Sequence, residues 1–155
     1  MNNDRILILD GAMGTMIQKF GVGETDNNNE RLNLTRPEAI KKIHKEYIAA
    51  GADIIESNTF SANAISQAEY GCSDLASQMA YEGARIAREA ADEAAAIAAE
   101  IGVTRKVWVA GSMGPTSKSL SLSPDAGNPA YRPYGFDEIY QAYLKQAEAL
   151  IKGGA

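Results

Sequence analysis

The sequence has 155 residues, 45% of them hydrophobic and 23% charged, a size and balance that fit one globular domain with one core. The formal net charge is -5 and no cluster of Lys and Arg stands against it, which disfavours a nucleic-acid or anionic-membrane surface. No apolar run approaches the roughly 20 residues that cross a bilayer, and the N-terminus does not have the pattern of a signal peptide, so we expect a cytoplasmic protein with small-molecule or protein partners.

The first third of the chain predicts a strand followed by two helices. Residues 5–9 are an apolar run that ends in the glycine-rich DGAMG segment, as at the end of a strand. A helix is predicted to begin within residues 13–20, and the polar, Asn-rich residues 21–33 predict a loop. The TRPE segment at 35–38 has the spacing of a capping box, so we expect the next helix to begin there and to run to about residue 50.

The remaining two thirds alternate between strand and helix in the same way. In order, we predict a strand at 53–60, a long Ala-rich helix at 75–101 with Gly102 as its C-terminal cap, a strand at 106–110, an irregular loop at 117–134 and a helix at 136–152. This alternation predicts a parallel α/β sheet with right-handed crossover connections.

The chain ends where its own pattern calls for another strand. The helix before residue 50 is followed by a turn of small residues and then by a strand, whereas the last helix is followed by the turn Gly153-Gly154-Ala155 alone. A helix that returns the chain to a parallel sheet buries its apolar stripe only when the next strand lies beside it. We therefore expect residues 1–155 to be one partial domain, truncated before a fourth strand.

Polar or glycine-rich segments follow all three predicted strands: DGAMG, ESNTF and GSMGPT. Because the carboxyl ends of parallel strands share one rim of the sheet, we expect the three segments to converge on a ligand site. Asp10 could accept hydrogen bonds from an ammonium group, and backbone N–H groups around Gly11 and Gly14 could meet a carboxylate, which suits an amino-acid ligand. The alternative is that Asp10 and the glycines only form a tight turn. Neither glycine motif of nucleotide-binding proteins occurs.

Three other side chains are weaker candidates for chemistry. His44 lies beside the apolar stripe of its helix, so a half-buried packing or hydrogen-bonding role is favoured over catalysis. Cys72, the single cysteine, follows a turn, and an incidental thiol is favoured over a ligand. One cysteine excludes an internal disulfide and cannot build a zinc site by itself. Glu56 is either a member of a buried ion pair or a carboxylate of the site.

Four stretches of the sequence resemble the homocysteine S-methyltransferase family: ILDGAMGTMIQ (8–18), LNLTRPEAI (32–40), AGADIIESNTFSAN (50–63) and GPTSKSLSLSPDAGNPAYRPYGFDEI (114–139). Within that family, the last stretch is similar to the N-terminal homocysteine-binding domain of cobalamin-dependent methionine synthases rather than to the betaine-dependent relatives. The resemblance spans nearly the whole chain.

The resemblance implies a TIM (β/α)8 barrel, of which this chain would supply about three of the eight strand–helix units. It implies transfer of a methyl group from methylcobalamin to homocysteine, giving methionine, with zinc activating homocysteine as a thiolate. The implied partners are homocysteine, the remainder of the barrel and the cobalamin-binding region of a full enzyme.

The family's homocysteine pocket is carried over position by position to Asp10, Gly11, Ser57 and Phe60, with Asn58 and Thr59 shaping the same rim. The family usually has Thr where Ser57 stands, a difference that keeps the hydroxyl. Its three zinc-binding cysteines belong to the second half of the barrel, Cys72 matches none of them, and the acidic residue at the end of strand four is absent too. The resemblance thus assigns no catalytic residue and no metal ligand to this chain.

Two other functions compete with a methyltransferase fragment. One is a small, non-catalytic α/β module that binds an amino acid or a similar metabolite. The other is a half-barrel that works only after assembly with a separate chain. Open sheet edges and unburied apolar faces lead us to expect an isolated chain of poor stability, without zinc binding or methyl transfer of its own.

Overall fold

The computed structural model describes residues 6–21 and 28–155. The helices and strands in this part of the chain are α1 (Met13–Phe20), α2 (Leu32–Thr35), α3 (Pro37–Ala49), β1 (Ile54–Glu56), α4 (Ala64–Gln67), α5 (Ala76–Glu100), β2 (Trp108–Ala110) and α6 (Phe136–Gly153). Short 3-10 turns lie at Asn29–Arg31, Ala68–Tyr70 and Ser73–Leu75. The predicted alternation of strands and long helices is confirmed, but the strands predicted at 53–60 and 106–110 are wrong in extent, since β1 and β2 have three residues each. Helices α2 and α4 and the three turns were not predicted.

Strand β1 lies in the middle of a small parallel sheet. It pairs with β2 on one side, and on the other side Leu9 forms a single parallel bridge to Ile54. The predicted first strand at 5–9 is therefore wrong in extent, although residue 5 itself lies outside the described residues. One reason is that the Asp53 carboxylate accepts the Ile8 N–H at 3.0 Å, where a longer ladder would use a backbone carbonyl.

The segment before α3 folds differently from the sequence prediction. The loop predicted at 21–33 contains a 3-10 turn and the start of α2, because Leu32 is fully buried and anchors the segment to the core. Its residues 22–27 lie outside the described part. The capping box is also wrong: the Thr35 hydroxyl belongs to the last turn of α2 and donates to the Arg31 carbonyl at 3.3 Å. Helix α3 begins instead at Pro37, whose fixed φ and missing N–H suit a first helical position.

Helix α5 is the centre of the helical layer and packs against both α3 and α6. Its buried face consists largely of alanines, so the neighbouring helices can approach closely. Gly102 follows the helix with a φ of +74°, which confirms it as the residue that ends α5. Among the described residues, no helix combines the length and the apolar character that a bilayer crossing requires.

The core between sheet and helices joins Ile55 of β1, Ile48 of α3 and Ala87 of α5. The helices thus cover the sheet from one side, and the carboxyl ends of the parallel segments open on one rim.

The predicted irregular segment at 117–134 is confirmed, since no helix or strand is found there. It is nevertheless held together by one side chain. The Arg132 guanidinium donates to backbone carbonyls of four residues, namely Leu120, Ser121, Pro129 and Tyr131. These bonds close the segment on itself.

Candidate functional site

A cleft of about 370 Å³ opens on the rim, where the three parallel segments end. It is lined by every residue from Leu9 to Gly14, by every residue from Glu56 to Phe60, and by Ser112. The structure therefore brings together the polar segments that the sequence places on one rim. All six residues expected at the homocysteine pocket line this cleft.

Asp10 carries the main charge of the cleft. Its Oδ2 accepts the backbone N–H of Glu56 at 3.0 Å, which orients the carboxylate. Burial, with a smaller contribution from the Glu56 carboxylate, raises the pKa of Asp10 from 3.8 to about 6, although the hydrogen bond from Glu56 opposes the rise. An ionised Asp10 is therefore short of stabilising partners, and a cationic ligand group would supply one.

Glu56 adds a second carboxylate to the same cleft. Its side chain is exposed and its Oε2 lies 3.4 Å from the Ser112 hydroxyl, which donates to it. Of the two roles left open by the sequence, the buried ion pair is therefore wrong and the site carboxylate fits. Two carboxylates side by side make this end of the cleft attractive to an ammonium group.

The backbone at the start of α1 offers the opposite charge. Ala12, Met13 and Gly14 line the cleft, and the helix has neither a side-chain cap nor an acidic residue in its first turn. The first N–H groups of a helix have no carbonyl partners within it, and the helix dipole adds partial positive charge there. A carboxylate can therefore bind at this end of the cleft.

Tyr47 of α3 supports the turn that carries Asp10. Its hydroxyl donates to the Ala12 carbonyl at 3.2 Å, and a Cβ atom at Gly11 would lie 3.1 Å from the Tyr47 hydroxyl oxygen. Desolvation, and then the charge of Asp10, raises the pKa of Tyr47. Glycine at position 11 thus leaves room for the tyrosine, which would have to shift slightly to accept a larger residue there.

The hydroxyls of Ser57 and Thr59 form a closed set of hydrogen bonds with Ser112. Thr59 donates to the Ser112 carbonyl at 2.8 Å, and the Ser112 N–H donates to Ser57 Oγ at 3.1 Å. The Ser57 and Thr59 hydroxyl oxygens are 2.7 Å apart, so Ser57 is the donor between them. Both side chains are buried, and their hydrogens are used in joining two segments of the rim.

Asn58 lines the cleft, and its side-chain amide belongs to a buried amide cluster. Its Nδ2 donates to the Asn29 carbonyl at 2.8 Å and to Asn33 Oδ1 at 3.0 Å. Asn33 in turn donates to the Asn58 and Met79 carbonyls. Asn58 therefore holds the ESNTF segment against the helical layer.

Phe60 is the large apolar side chain of the cleft and is 55% exposed. Its ring lies over Gly114, where a Cβ atom would be 2.3 Å from the ring carbon Cε1. The Gly114 N–H donates to the Phe60 carbonyl at 2.8 Å. The glycine thus allows the aromatic ring to lie close against the third rim segment.

Sequence reasoning missed three side chains that hold this rim: Tyr47, Tyr143 and Gln146. Tyr47 belongs to an apolar helix stripe, and the other two lie on α6, so nothing in their local pattern marks them. Gln146 reaches the carbonyl of Thr59, which is 87 positions earlier in the chain. A contact of that separation leaves no spacing signal in a single sequence.

His44 and Cys72 lie outside the cleft. His44 is fully buried in the helical layer, and within the described part of the chain neither ring nitrogen has a hydrogen-bond partner. The predicted packing role is therefore confirmed, whereas half-burial and a hydrogen-bonding role are wrong. Burial lowers the pKa of His44 to about 4. The Cys72 thiol donates to the Tyr70 carbonyl at 3.3 Å.

The residues of the described ranges do not fit a zinc ion. No three side chains of the His, Cys, Asp and Glu types come together there as a metal site would need. The imidazole of His44 is enclosed in the core, and the Cys72 thiol lies in a turn away from the cleft. We therefore assign no step of the chemistry to a metal held by these residues.

The sequence model of the homocysteine S-methyltransferase family matches residues 7–155. The chain therefore belongs to the homocysteine S-methyltransferase family, as the resemblance of its rim segments predicted. The match includes every residue that lines the cleft.

The fold is similar to that of the homocysteine methyltransferase MmuM from Escherichia coli. The oxidized form of that protein superimposes with a TM-score of 0.76 at 27% identity, covering 99% of this chain and 52% of that one. Its metallated form matches with a TM-score of 0.77 at 24% identity and the same coverage, which shows the shared fold. The present chain thus spans about half the length of the enzyme it matches.

Proposed function

We propose that this chain forms the first three strand–helix units of a (β/α)8 barrel and that its cleft holds homocysteine for methylation at sulfur. Family membership supports the reaction class. The parallel order of the three rim segments, with helices on one side of the sheet, supports the barrel. The observation that carries the proposal is the meeting of Asp10, the start of α1 and Phe60 in one cleft.

The cleft can hold each part of an amino acid in a different place. The ammonium group lies against the Asp10 carboxylate, with Glu56 adding negative charge nearby. The carboxylate lies at the uncapped N–H groups of α1. The thiol-bearing side chain then extends along Phe60, the exposed apolar surface of the cleft.

In the proposed reaction the homocysteine thiol would lose its proton to solvent, and methylcobalamin would supply the methyl group to the thiolate sulfur. The cobalt–carbon bond would break with its electron pair left on cobalt as the sulfur–carbon bond of methionine forms. The similarity of residues 114–139 to methionine synthases supports this donor. The residues of the cleft bind and orient homocysteine, and none of them is assigned a proton-transfer role. Zinc and the cobalamin-binding region belong to other parts of a full enzyme in this proposal.

The alternative is a half-barrel that functions only with a second polypeptide, or a module that binds the amino acid without catalysis. Exposed apolar side chains at the sheet edge and on α6 support the half-barrel, for instance Ile8 at 55% exposure and Phe136 at 69%.

Methyl transfer is the experiment that tests the proposal. The protein is mixed with homocysteine, zinc and methylcobalamin, alone and with a polypeptide that supplies the remaining strands of the barrel, and methionine is measured. We expect methionine only in the mixture. Methionine formed from betaine or a methylsulfonium donor, but not from methylcobalamin, would contradict the assignment of methylcobalamin as the methyl donor. If calorimetry detects no homocysteine binding in either sample, the assignment of the cleft as the homocysteine site is wrong.

A further inference from the structure

We infer that Tyr143 and Gln146 of α6 are positioning residues that hold two rim segments, and with them Phe60, in the geometry that binds the ligand. This inference rests on the proposed function for the identity of the ligand. The clamp itself, meaning these two α6 side chains and their bonds to the rim, rests on contacts that do not depend on the ligand.

The first arm of the clamp is Gln146. Its Nε2 donates to the Thr59 carbonyl at 2.7 Å, and both residues are buried. Thr59 in turn donates to the Ser112 carbonyl. A single amide on α6 therefore fixes the residue that joins the ends of β1 and β2.

The second arm is Tyr143, one helical turn earlier on the same helix face. Its hydroxyl donates to the Gly114 carbonyl at 2.9 Å and accepts the Thr116 N–H at 3.1 Å. Gly114 also donates to the Phe60 carbonyl. The tyrosine thus holds the turn against which the Phe60 ring lies.

Stability alone does not account for the glutamine. Its Oε1 is buried and has no hydrogen-bond partner among the described residues. A buried acceptor without a partner destabilises a fold, and the other buried α6 positions near it are small or apolar, such as Ala142, Ala149 and Leu150. An apolar residue would suit the helix at position 146 better, whereas only a donor there can hold the Thr59 carbonyl.

The arrangement gives α6 a role in a cleft that it does not line. The cleft residues come from the segments after Leu9, β1 and β2. Their mutual distances depend on bonds that originate on the helix behind them. A change at Tyr143 or Gln146 should therefore alter ligand affinity more than it alters the unfolding of the protein.

The test uses Tyr143→Phe and Gln146→Leu, which remove the hydrogen-bonding groups and keep most of the volume. Tyr140→Phe and Gln141→Leu are the matched controls, since both residues lie on exposed positions of the same helix. Homocysteine affinity is measured by calorimetry in the intact protein, together with the remaining strands of the barrel if binding needs them. Thermal melting is recorded for every variant. We expect Kd to rise about tenfold in the two clamp variants and to stay unchanged in the controls.

Amide hydrogen exchange provides the readout that is independent of homocysteine. We expect exchange at Gly114 and Thr116 in Tyr143→Phe to become about tenfold faster, with no change at Ile55 in the middle of β1. Because Tyr143→Phe removes only one oxygen, this variant still tests the clamp if Gln146→Leu does not fold. Faster exchange in a protein that binds no homocysteine would support the clamp and overturn the proposed function. Exchange and affinity equal to those of the controls would overturn the clamp.

Discussion

The Asp10 carboxylate accepts the backbone N–H of Glu56 at a distance of 3.0 Å, across 46 positions of the chain. This bond joins the turn after Leu9 to the end of β1 and fixes the direction of the carboxylate. Because the same carboxylate is half-buried and lies near a second acid, its charge is available to a cation rather than matched within the cleft.

Replacing Asp10 by Asn should remove the charge and keep the oxygen that accepts the Glu56 N–H. We expect the Kd for homocysteine to rise about thirtyfold, corresponding to about 2 kcal/mol for a lost charge-assisted hydrogen bond. Calorimetry measures this directly. Asp74→Asn, at an exposed position outside the cleft, is the control that should bind like the unchanged protein. Equal affinities for the two variants would contradict the placement of the ammonium group.

Homocysteine binding should weaken as the pH falls through about 6. The pKa of Asp10 is raised to about 6, so the free carboxylate takes up a proton in that range and loses its attraction for an ammonium group. Asp10 has the opposite effect on folding: its raised pKa favours the folded state at acidic pH, and this contribution is lost as the pH rises through about 6. Affinity measured from pH 5 to 8 checks the prediction, and a flat profile would argue against ionised Asp10 as the ligand group.

His44 should make the fold less stable in acid. Its pKa is lowered from 6.5 to about 4, so between these values the unfolded chain binds a proton that the folded chain does not. Its contribution to stability is therefore complete above pH 6.5 and is lost as the pH falls through about 4, with a total of about 3 kcal/mol. Urea unfolding at several pH values measures it. Between pH 7 and pH 4, the free energy of unfolding of His44→Leu should fall less than that of the unchanged protein. If the two free energies fall in parallel with pH, the imidazole is not the cause of the acid destabilisation.

Gly83→Ala should destabilise the protein although alanine is the better helix former. A Cβ atom there would lie 2.4 Å from Thr59 Cγ2 and 2.6 Å from Asn33 Nδ2, and both side chains are buried. We expect the free energy of unfolding to fall by about 2 kcal/mol, because the amide cluster behind the ESNTF segment must shift. Denaturant unfolding checks this, with Ser77→Ala on the exposed face of α5 as the control. An unchanged denaturant midpoint would mean that the amide cluster can shift without lowering the free energy of unfolding.

Helices and the rim were predictable from the sequence because their signals are local or topological. The limits of α5 and α6 and the end of α3 follow from composition and from apolar spacing, and the rim follows from the rule that parallel strands end on one side. Apart from the capping box at 35–38, two of the predictions that failed depend on partners outside the segment itself. The Asp53 carboxylate interrupts the first strand, and the burial of Leu32 turns part of a predicted loop into helix.

In the candidate site, too, local and topological signals were predictable from the sequence and long-range contacts were not. The sequence places Asp10 and Phe60 on one rim through motif and topology alone. It gives no indication that the Ser57 hydroxyl is already used within the rim, or that α6 holds the rim from behind. Both facts depend on hydrogen bonds between residues that only the folded chain brings together.

The bond from Gln146 to Thr59 has a consequence for how the protein is made. The residues of the cleft, between Leu9 and Ser112, leave the ribosome before the helix that fixes them. During translation the nascent chain therefore carries a binding surface that is already present but not yet in its final geometry. If the proposed clamp is correct, the cleft reaches its binding geometry only after α6 has left the exit tunnel and docked.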